Sequence, residues 1–424
     1  MQPRGLDFQQ APPLGVPLRF FLTAPLFLFC AGLLLFTPAA WDNQRWSPAI
    51  LAVVHLMTLG FLAMVMMGAA LQLLAVVAGT PVARPRLVAG LVHGPLVLGT
   101  LLLTAGFWLS LSWPFYPALA LLAVAVVVFV AAVVASLRRA ARNATVAAMA
   151  AAVFALAVTL VLGLTLAVTR IGGPMPENFI GWVDLHAAWG VLGWVSMLVA
   201  GVAYQVVPMF QLTPAYPRWL TSSLVPVLMA GLLALSLAQA TGRAWPRDAA
   251  MLLLTAGLLV FAVVTLHLQH RRRRHVADVT LDYWRVGLGS LVAAVFLGLV
   301  PGAAGPGRPI LLGILLLYGF AVSVVSGMLY KILPFLAWFH LQSQLQARAG
   351  SIPNMKAFLS EGGGRRQFYV HVAALGLLLL SALAPGPWRY AAAAGVCLSA
   401  ALLAANLWGV WRLFRRQGGR TLAA

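Results

Sequence analysis

Apolar runs of about 20 residues recur from one end of this chain to the other, the length of helix that crosses a hydrocarbon core. Inside a bilayer no water is available to the backbone, so each such run must pair its own N–H and C=O groups, as a helix does. Runs near 18–36, 48–75, 87–111, 114–136, 144–169, 182–208, 218–240, 249–269, 284–302, 309–337, 368–385 and 389–413 predict about twelve spans. A chain of 424 residues that is 62% hydrophobic and 8% charged, with mean hydropathy +0.94, cannot be a soluble domain. The expected fold class is an all-α polytopic membrane protein, a single transmembrane domain over 1–424.

Three of the runs share a motif: a glycine followed by an aromatic, a second glycine eight residues on, and a polar residue four beyond that. The copies are Gly60-Phe61, Gly68, Gln72; Gly193-Trp194, Gly201, Gln205; and Gly319-Phe320, Gly327, Lys331. A proline follows in two of them, Pro208 and Pro334, where the first has Ala75. The first glycines are 133 and 126 residues apart, room for four helices each, so three pseudo-symmetric four-helix repeats are expected at about 18–136, 144–269 and 284–413. An even number of helices returns each copy to the same direction, which makes the second, sixth and tenth spans equivalent. Glycines eight apart share a helix face and admit another backbone or a flat macrocycle.

The net charge of +20 follows the membrane rather than nucleic acid. Arg84 and Arg86, Arg138, Arg139 and Arg142, the run Arg271 to Arg274, Arg365 and Arg366, and Arg412, Arg415, Arg416 and Arg420 all fall on one side of the spans. Opposite connections such as Ser112-Trp113-Pro114 and Pro301-Gly302-Ala303 are charge-poor, with Arg170, Arg243 and Arg247 as exceptions. The positive-inside rule then puts both termini in the cytoplasm, and membrane lipid is the expected partner of the basic clusters. Trp46, Trp113, Trp182, Trp219, Trp245, Trp284 and Trp388 lie near span ends as interfacial anchors do.

Several features carry no chemistry. The first span is longer than the h-region of a signal peptide and is read as a retained helix. Cys30 and Cys397 both lie within spans, where cysteine behaves as a small hydrophobe. The longest connection, about 341–367, is expected to be a cytoplasmic loop. Its Glu361-Gly362-Gly363-Gly364-Arg365-Arg366 tract lacks the Gly-Lys-Ser/Thr ending of a phosphate loop and is expected to be flexible.

Function must come from ionisable groups within the spans, because burying them is costly. Asp7, Asp42, Glu177, Asp184, Asp248, Asp278, Asp282 and Glu361 all fall in loops or at helix ends, which excludes a carboxylate relay across the membrane. His55, His93, His186, His371 and Lys331 remain inside, with His267, His270, His275 and His340 at cytoplasmic ends. Depth sorts the four buried histidines into an outer pair, His55 and His186, and an inner pair, His93 and His371. At 1.5 Å per residue His55 lies about 10 Å below the outer surface. Neutral imidazole is a ligand for haem iron or copper; the alternative is a hydrogen bond to a neighbouring helix. His55 precedes its motif glycine by five residues and His186 by seven. That offset turns a helical side chain by about 200°, so the two need not converge on one metal. Asp184 is expected near His186, fixing its tautomer or capping the sixth helix.

Lys331, one of only two lysines in the chain, has two readings: an ammonium beside a haem propionate, an anion or the Gln72 and Gln205 amides, or one that snorkels to the interface. Met57, Met64, Met66 and Met67 are possible soft copper ligands or core filler.

The second span, with a histidine near its outer end and Gly-x-x-x-polar near its inner end, resembles the second helix of haem–copper oxidase subunit I, whose histidine holds low-spin haem. The tenth span's Gly327-Met328-Leu329-Tyr330-Lys331-Ile332-Leu333-Pro334 is similar to that family's tenth helix. His55-Leu56-Met57-Thr58-Leu59-Gly60-Phe61, Gly68, Gly79-Thr80-Pro81 and the early Arg19-Phe20-Phe21 resemble the first histidine motif of the NnrS family, haem- and copper-containing membrane proteins associated with nitric oxide metabolism. Val53 and Leu56 stand where that motif has a further histidine and a glutamate, and spans 309–337 and 218–240 lack the histidines of an oxygen-reducing binuclear centre.

What the resemblance implies is a bacterial inner-membrane protein binding haem b, with copper as a further option, related to respiratory or nitric-oxide metabolism and without oxygen-reducing activity. His55 is its expected axial ligand, His186, His93 and His371 the candidate partners, with nitric oxide or a respiratory electron-transfer protein as the partner to look for. The competing reading is a cofactor-free permease for a small molecule or metal, its polar path lined by Gln72, Gln205 and Lys331. No nucleophile or acid–base pair assigns an enzyme class.

Overall fold

The computed structural model describes residues 12–41, 44–273, 276, 278–300, 307–345, 353–384 and 386–421, with only the backbone at Val77. Among these residues there is no strand, and 12 helices are long and apolar enough to cross a membrane. They are α1 (Gly15–Leu34), α2 (Pro48–Val76), α3 (Pro85–Trp108), α4 (Phe115–Leu137), α5 (Ala144–Ile171), α6 (Phe179–Gln211), α7 (Arg218–Thr241), α8 (Ala244–His270), α9 (Val279–Leu299), α10 (Arg308–Gln344), α11 (Glu361–Leu383) and α12 (Trp388–Arg416). Asp7, Asp42, Arg274, His275 and Pro301-Gly302-Ala303 lie outside the described residues.

Local chemistry starts several of these helices. The Ser47 hydroxyl accepts from Ile50 N at 3.3 Å ahead of Pro48 at the first turn of α2, the Asn143 side chain accepts from Val146 N at 2.9 Å, and Asp278 accepts from Thr280 N at 2.9 Å. Each satisfies one N–H that a helix start leaves unpaired. The same device corrects the reading of 341–367 as one long loop. α10 runs on to Gln344, and α11 begins at Glu361 because Ser360 caps it, accepting from Gly363 N at 3.1 Å, with the Glu361 carboxylate favouring the helix dipole. The glycine tract is therefore the first turn of α11. Its Gly363 carbonyl is held by Asn406 Nδ2 at 3.1 Å, and a β-carbon at Gly363 would come within 3.0 Å of the Asn406 side chain.

The helices form a closed bundle. α4 packs on α5, α8 on α9 and α12 back on α1. α2, α6 and α10 lie inside: 67%, 67% and 72% of their most apolar stretch is buried, against 28–61% for the other nine. Large side chains such as Val127, Leu252 and Phe296 stay exposed on the outer helices, the surface a lipid phase covers.

The three motif copies also share local geometry. Each first glycine sits in a π-helical stretch, Leu56–Ala63, Trp189–Val195 and Ile314–Val322. A π-turn leaves carbonyls poorly paired; Ser196 and Ser323, directly after two of the stretches, donate to Val191 O at 2.9 Å and Tyr318 O at 3.3 Å. The glycines take the preceding helix at close range, Gly60 and Gly68 against Phe27 and Phe20, Gly193 and Gly201 against Ala155 and Ala148, Gly319 and Gly327 against Ser290 and Tyr283. At all six positions a β-carbon would come within 3.0 Å of its neighbour. The partner residues are seven apart each time, two helical turns, matching glycines eight apart on helices widened by a π-turn.

The first and last described segments meet on one side, where Gly15 N donates to Thr421 O at 2.8 Å. That side also carries Lys331 and the arginine clusters after α2, α4, α8 and α12 and at the start of α11; it is called the Lys331 side below, and the opposite one the Arg45 side.

Candidate functional site

A cavity of about 530 Å³ opens within the half of the bundle nearer the Arg45 side. Its wall is almost wholly apolar, drawn mainly from α2, α4, α5, α6 and α10, and it includes both His55 and His186. That volume falls within the roughly 300–1,000 Å³ typical of cofactor and ligand sites.

The two imidazoles face each other, their ring centroids 6.4 Å apart and their planes 24° from parallel. Phe107 of α3 stacks on His55 with centroids 5.3 Å apart. The two-residue offset therefore does not keep the two rings apart. A turn of about 200° would separate two ligands pointing at a common axis, but this cavity lies between α2 and α6 themselves.

Both rings have a fixed tautomer. His55 Nδ1 lies 2.7 Å from Leu51 O, and His186 Nδ1 lies 3.1 Å from Thr159 O. A carbonyl only accepts, so each Nδ1 carries the proton and each Nε2 keeps its lone pair, the state a metal-ligating histidine needs. Asp184 does not set the His186 tautomer. It pairs instead with Arg45, at 2.6 and 3.2 Å, tying the α1–α2 connection to α6 at the cavity rim. Arg45 also stacks over Trp46 at 3.8 Å, and Arg170 lies over Phe107 at 5.7 Å, so two guanidinium groups border an apolar chamber.

Two opposed imidazoles that share one ion at about 2.0–2.1 Å have centroids about 6 Å apart. The observed 6.4 Å is of the same length, measured between rings that stack with their planes 24° from parallel. No group of three or more His, Cys, Asp or Glu side chains able to hold a metal occurs among the described residues. Two imidazoles are a complete axial set for a haem iron, which brings four nitrogens of its own, but an incomplete shell for a bare divalent ion. Met57 also lines the chamber, the one motif-helix methionine of the four that does.

The inner histidines have partners of their own. Thr23 Oγ1 donates to Arg19 O at 2.7 Å and so accepts from His93 Nε2, 3.0 Å away. His371 is fully buried; its Nε2 meets Ser323 Oγ at 2.7 Å and its ring stacks on Tyr318 at 4.4 Å, while Nδ1 has no partner among the described residues. Lys331 forms an ion pair of 2.8 Å with Asp278 at the start of α9. Gln72 is 2% exposed and neither its oxygen nor its nitrogen has a hydrogen-bond partner among the described residues. Gln205 is half-buried on α6. Gly60 and Gly68 receive Phe27 and Phe20, so protein side chains take the close approach that their faces allow.

A buried polar cluster on α9 to α12 went unread in the sequence. Tyr283 and Tyr330 both donate to Gln367 Oε1, the latter at 3.1 Å; Gln367 Nε2 donates to Ser399 Oγ at 2.9 Å, and Asn406 Nδ2 to Tyr330 OH at 2.8 Å. The signal was there, since Gln367 and Asn406 are amides at the apolar ends of spans, where a polar group needs a partner.

Compared with protein-family models and with curated proteins, this chain matches none.

Proposed function

We propose that this protein is a haem-binding integral membrane protein in which His55 and His186 would hold the iron. The observation that carries the reading is the imidazole pair, each Nδ1 held by a backbone carbonyl, the rings 6.4 Å apart in an apolar chamber. A bound haem would supply reversible one-electron iron redox chemistry. The chain's own residues do the rest. Leu51 O and Thr159 O fix ring orientation and raise ligand basicity, Phe107 limits rotation of His55, and the apolar wall keeps water away. Arg170 at the rim would supply positive charge suited to a propionate group, while Arg45 is held by Asp184.

The resemblance to the NnrS and haem–copper oxidase families supports the same cofactor and a role in respiratory or nitric-oxide metabolism. The arginine-rich Lys331 side is read as the cytoplasmic face of a bacterial inner membrane, with both termini there. Copper is the second reading, because Met57 joins the two imidazoles in the chamber wall and thioether with imidazole is a donor set for copper(I). A cofactor-free permease draws less support: Gln72, Gln205 and Lys331 do not line this chamber.

The test is pyridine-haemochrome and metal analysis of the full chain purified in detergent after expression with ample haem and copper. About one haem b per chain supports the proposal. A colourless protein carrying copper instead transfers the site to the second reading, and a protein with neither ends both.

A further inference from the structure

Arg19 is a fixed positive charge set inside a span. It lies one turn into α1, about 6 Å along the helix at 1.5 Å per residue. Its Nε donates to Gly15 O at 3.2 Å, which turns the guanidinium back toward the Lys331 side. Lys331, near the same side, has a carboxylate partner in Asp278. Arg19 differs: among the described residues no carboxylate pairs with it, and neither of its outer nitrogens has an acceptor. A charge at the edge of the hydrocarbon needs a counter-ion or water.

The guanidinium faces bare backbone on α3. Gly90 is exposed, and a β-carbon there would meet only Arg19 Nη1, 4.0 Å away; one turn deeper, a β-carbon at Gly94 would meet nothing within 4 Å. Beside them His93 fastens α3 to α1, its Nε2 3.0 Å from Thr23 Oγ1 and its ring edge-on to Phe20 at 5.1 Å. The result is a notch between α1 and α3, with glycines on one side, Arg19 on the other and His93 as its inner edge. Leu87, Leu91 and Leu98, which share a helix face with Gly94, are all exposed, so the notch opens on the lipid-covered surface.

Charge and depth choose the occupant. A guanidinium fork matches two phosphate oxygens. At this level, in the leaflet on the Lys331 side, the phosphate at hand is that of a phospholipid, whose chains would follow the leucine face. Arg84, Arg86 and Arg139 surround the α2–α3 connection, Arg139 bonding Pro81 O at 3.1 Å, and would repel the ammonium of a zwitterionic headgroup. We propose that Arg19 and the glycine face of α3 form a site for one anionic phospholipid, its phosphate held by the guanidinium. The site is independent of the histidine chamber and of haem.

Lipid binding to the full chain, stripped of lipid in detergent, is followed by native mass spectrometry. The probes are phosphatidylglycerol and phosphatidylcholine of matched chains, and inorganic phosphate as competitor. Wild type is compared with Arg19→Gln, with Gly90→Leu, which fills the notch and keeps every charge, and with Arg142→Gln, which removes one exposed charge elsewhere on the same side. One phosphatidylglycerol is expected to bind more tightly than phosphatidylcholine in wild type and in Arg142→Gln. Its affinity is expected to fall about five- to tenfold in Arg19→Gln and in Gly90→Leu, each shown to be folded by cooperative thermal unfolding. Equal losses in Arg19→Gln and Arg142→Gln would mean diffuse attraction to a basic face and overturn the site. Equal affinity for the two lipids, full binding in Gly90→Leu, or displacement of the lipid by inorganic phosphate, the mark of a site for the free anion, would do the same. So would a structure in lipid nanodiscs that places the Asp7 carboxylate, not a phosphate, on Arg19. Haem content is expected to be the same in all four proteins, so the two proposals stand or fall separately.

Discussion

Arg45 reaches from the α1–α2 connection to Asp184 on α6 and holds both carboxylate oxygens, at 2.6 and 3.2 Å. The pair closes part of the rim of the histidine chamber, yet its side chains are 36% and 47% exposed. At that exposure an ion pair contributes about 0.2–1 kcal/mol and is screened by salt. Asp184→Asn is therefore expected to lower the detergent melting temperature only slightly at low salt and not at all in molar salt. A large, salt-independent loss would mean that the pair does more than fasten the rim.

Arg170→Ala tests the rim in another way. Arg170 is exposed and lies over Phe107, so its removal should leave folding nearly unchanged. Under the haem proposal it weakens haem retention several-fold, measured by transfer to apomyoglobin, without removing the histidine ligation signature. Unchanged transfer kinetics would remove Arg170 from the site.

Close packing at the motif glycines gives a sharper forecast. A β-carbon at Gly201 collides with the Ala148 methyl, while the Ala148 backbone is 3.6 Å away. Gly201→Ala is expected to destabilise by about 1–3 kcal/mol through overpacking. Adding Ala148→Gly moves the methyl from one helix to the other and should restore most of that, less up to about 1 kcal/mol for a helical glycine. Thermal unfolding of the two single variants and the double one gives the coupling. Additive losses would contradict the geometry.

Gln367 is the hub of the α9–α12 cluster, since Tyr283, Tyr330 and Ser399 all bond to its side-chain amide. Gln367→Leu leaves three buried hydroxyls short of a partner and should cost about 1–3 kcal/mol or more. Gln367→Glu, which keeps an acceptor for the two tyrosine hydroxyls, should fare better in acid, where its carboxyl is protonated and can still donate to Ser399. Unfolding temperatures of both variants across pH 5 to 8 check this ordering.

Asp278 does two jobs, capping α9 through Thr280 N and pairing with Lys331. Loss of a cap costs about 0.5–2 kcal/mol and a part-exposed ion pair about 0–1 kcal/mol. Asp278→Ala should thus destabilise more than Lys331→Met, with Asp278→Asn close to Lys331→Met because asparagine still caps. Equal losses for Asp278→Ala and Asp278→Asn would deny the cap its share.

The spans were legible because hydropathy is set by each residue alone. All twelve expected runs overlap a helix, though polar ends such as the Glu361 tract became visible only with the Ser360 cap and the Asn406 contact. The motif glycines were legible as close-packing points, whereas their π-turns were not, since nothing in Leu56–Ala63 or Trp189–Val195 departs from ordinary helix composition. His55 and His186 were legible as candidates. Their meeting was not, because a rotation estimate on isolated helices cannot say which neighbouring helix shares the site. His93 and His371 look the same as ligands in sequence; only the Thr23 and Ser323 hydroxyls tell them apart.

Haem content and ligation in single-histidine variants test the central claim most directly. Reduced-minus-oxidised spectra and low-temperature electron paramagnetic resonance are recorded on wild type, His55→Ala, His186→Ala and His93→Ala, purified with haem supplied in excess. The expected result is a low-spin bis-histidine haem b in wild type and His93→Ala, and its loss or conversion to high spin in both His55→Ala and His186→Ala. An unchanged low-spin haem in either of those two variants would contradict the account.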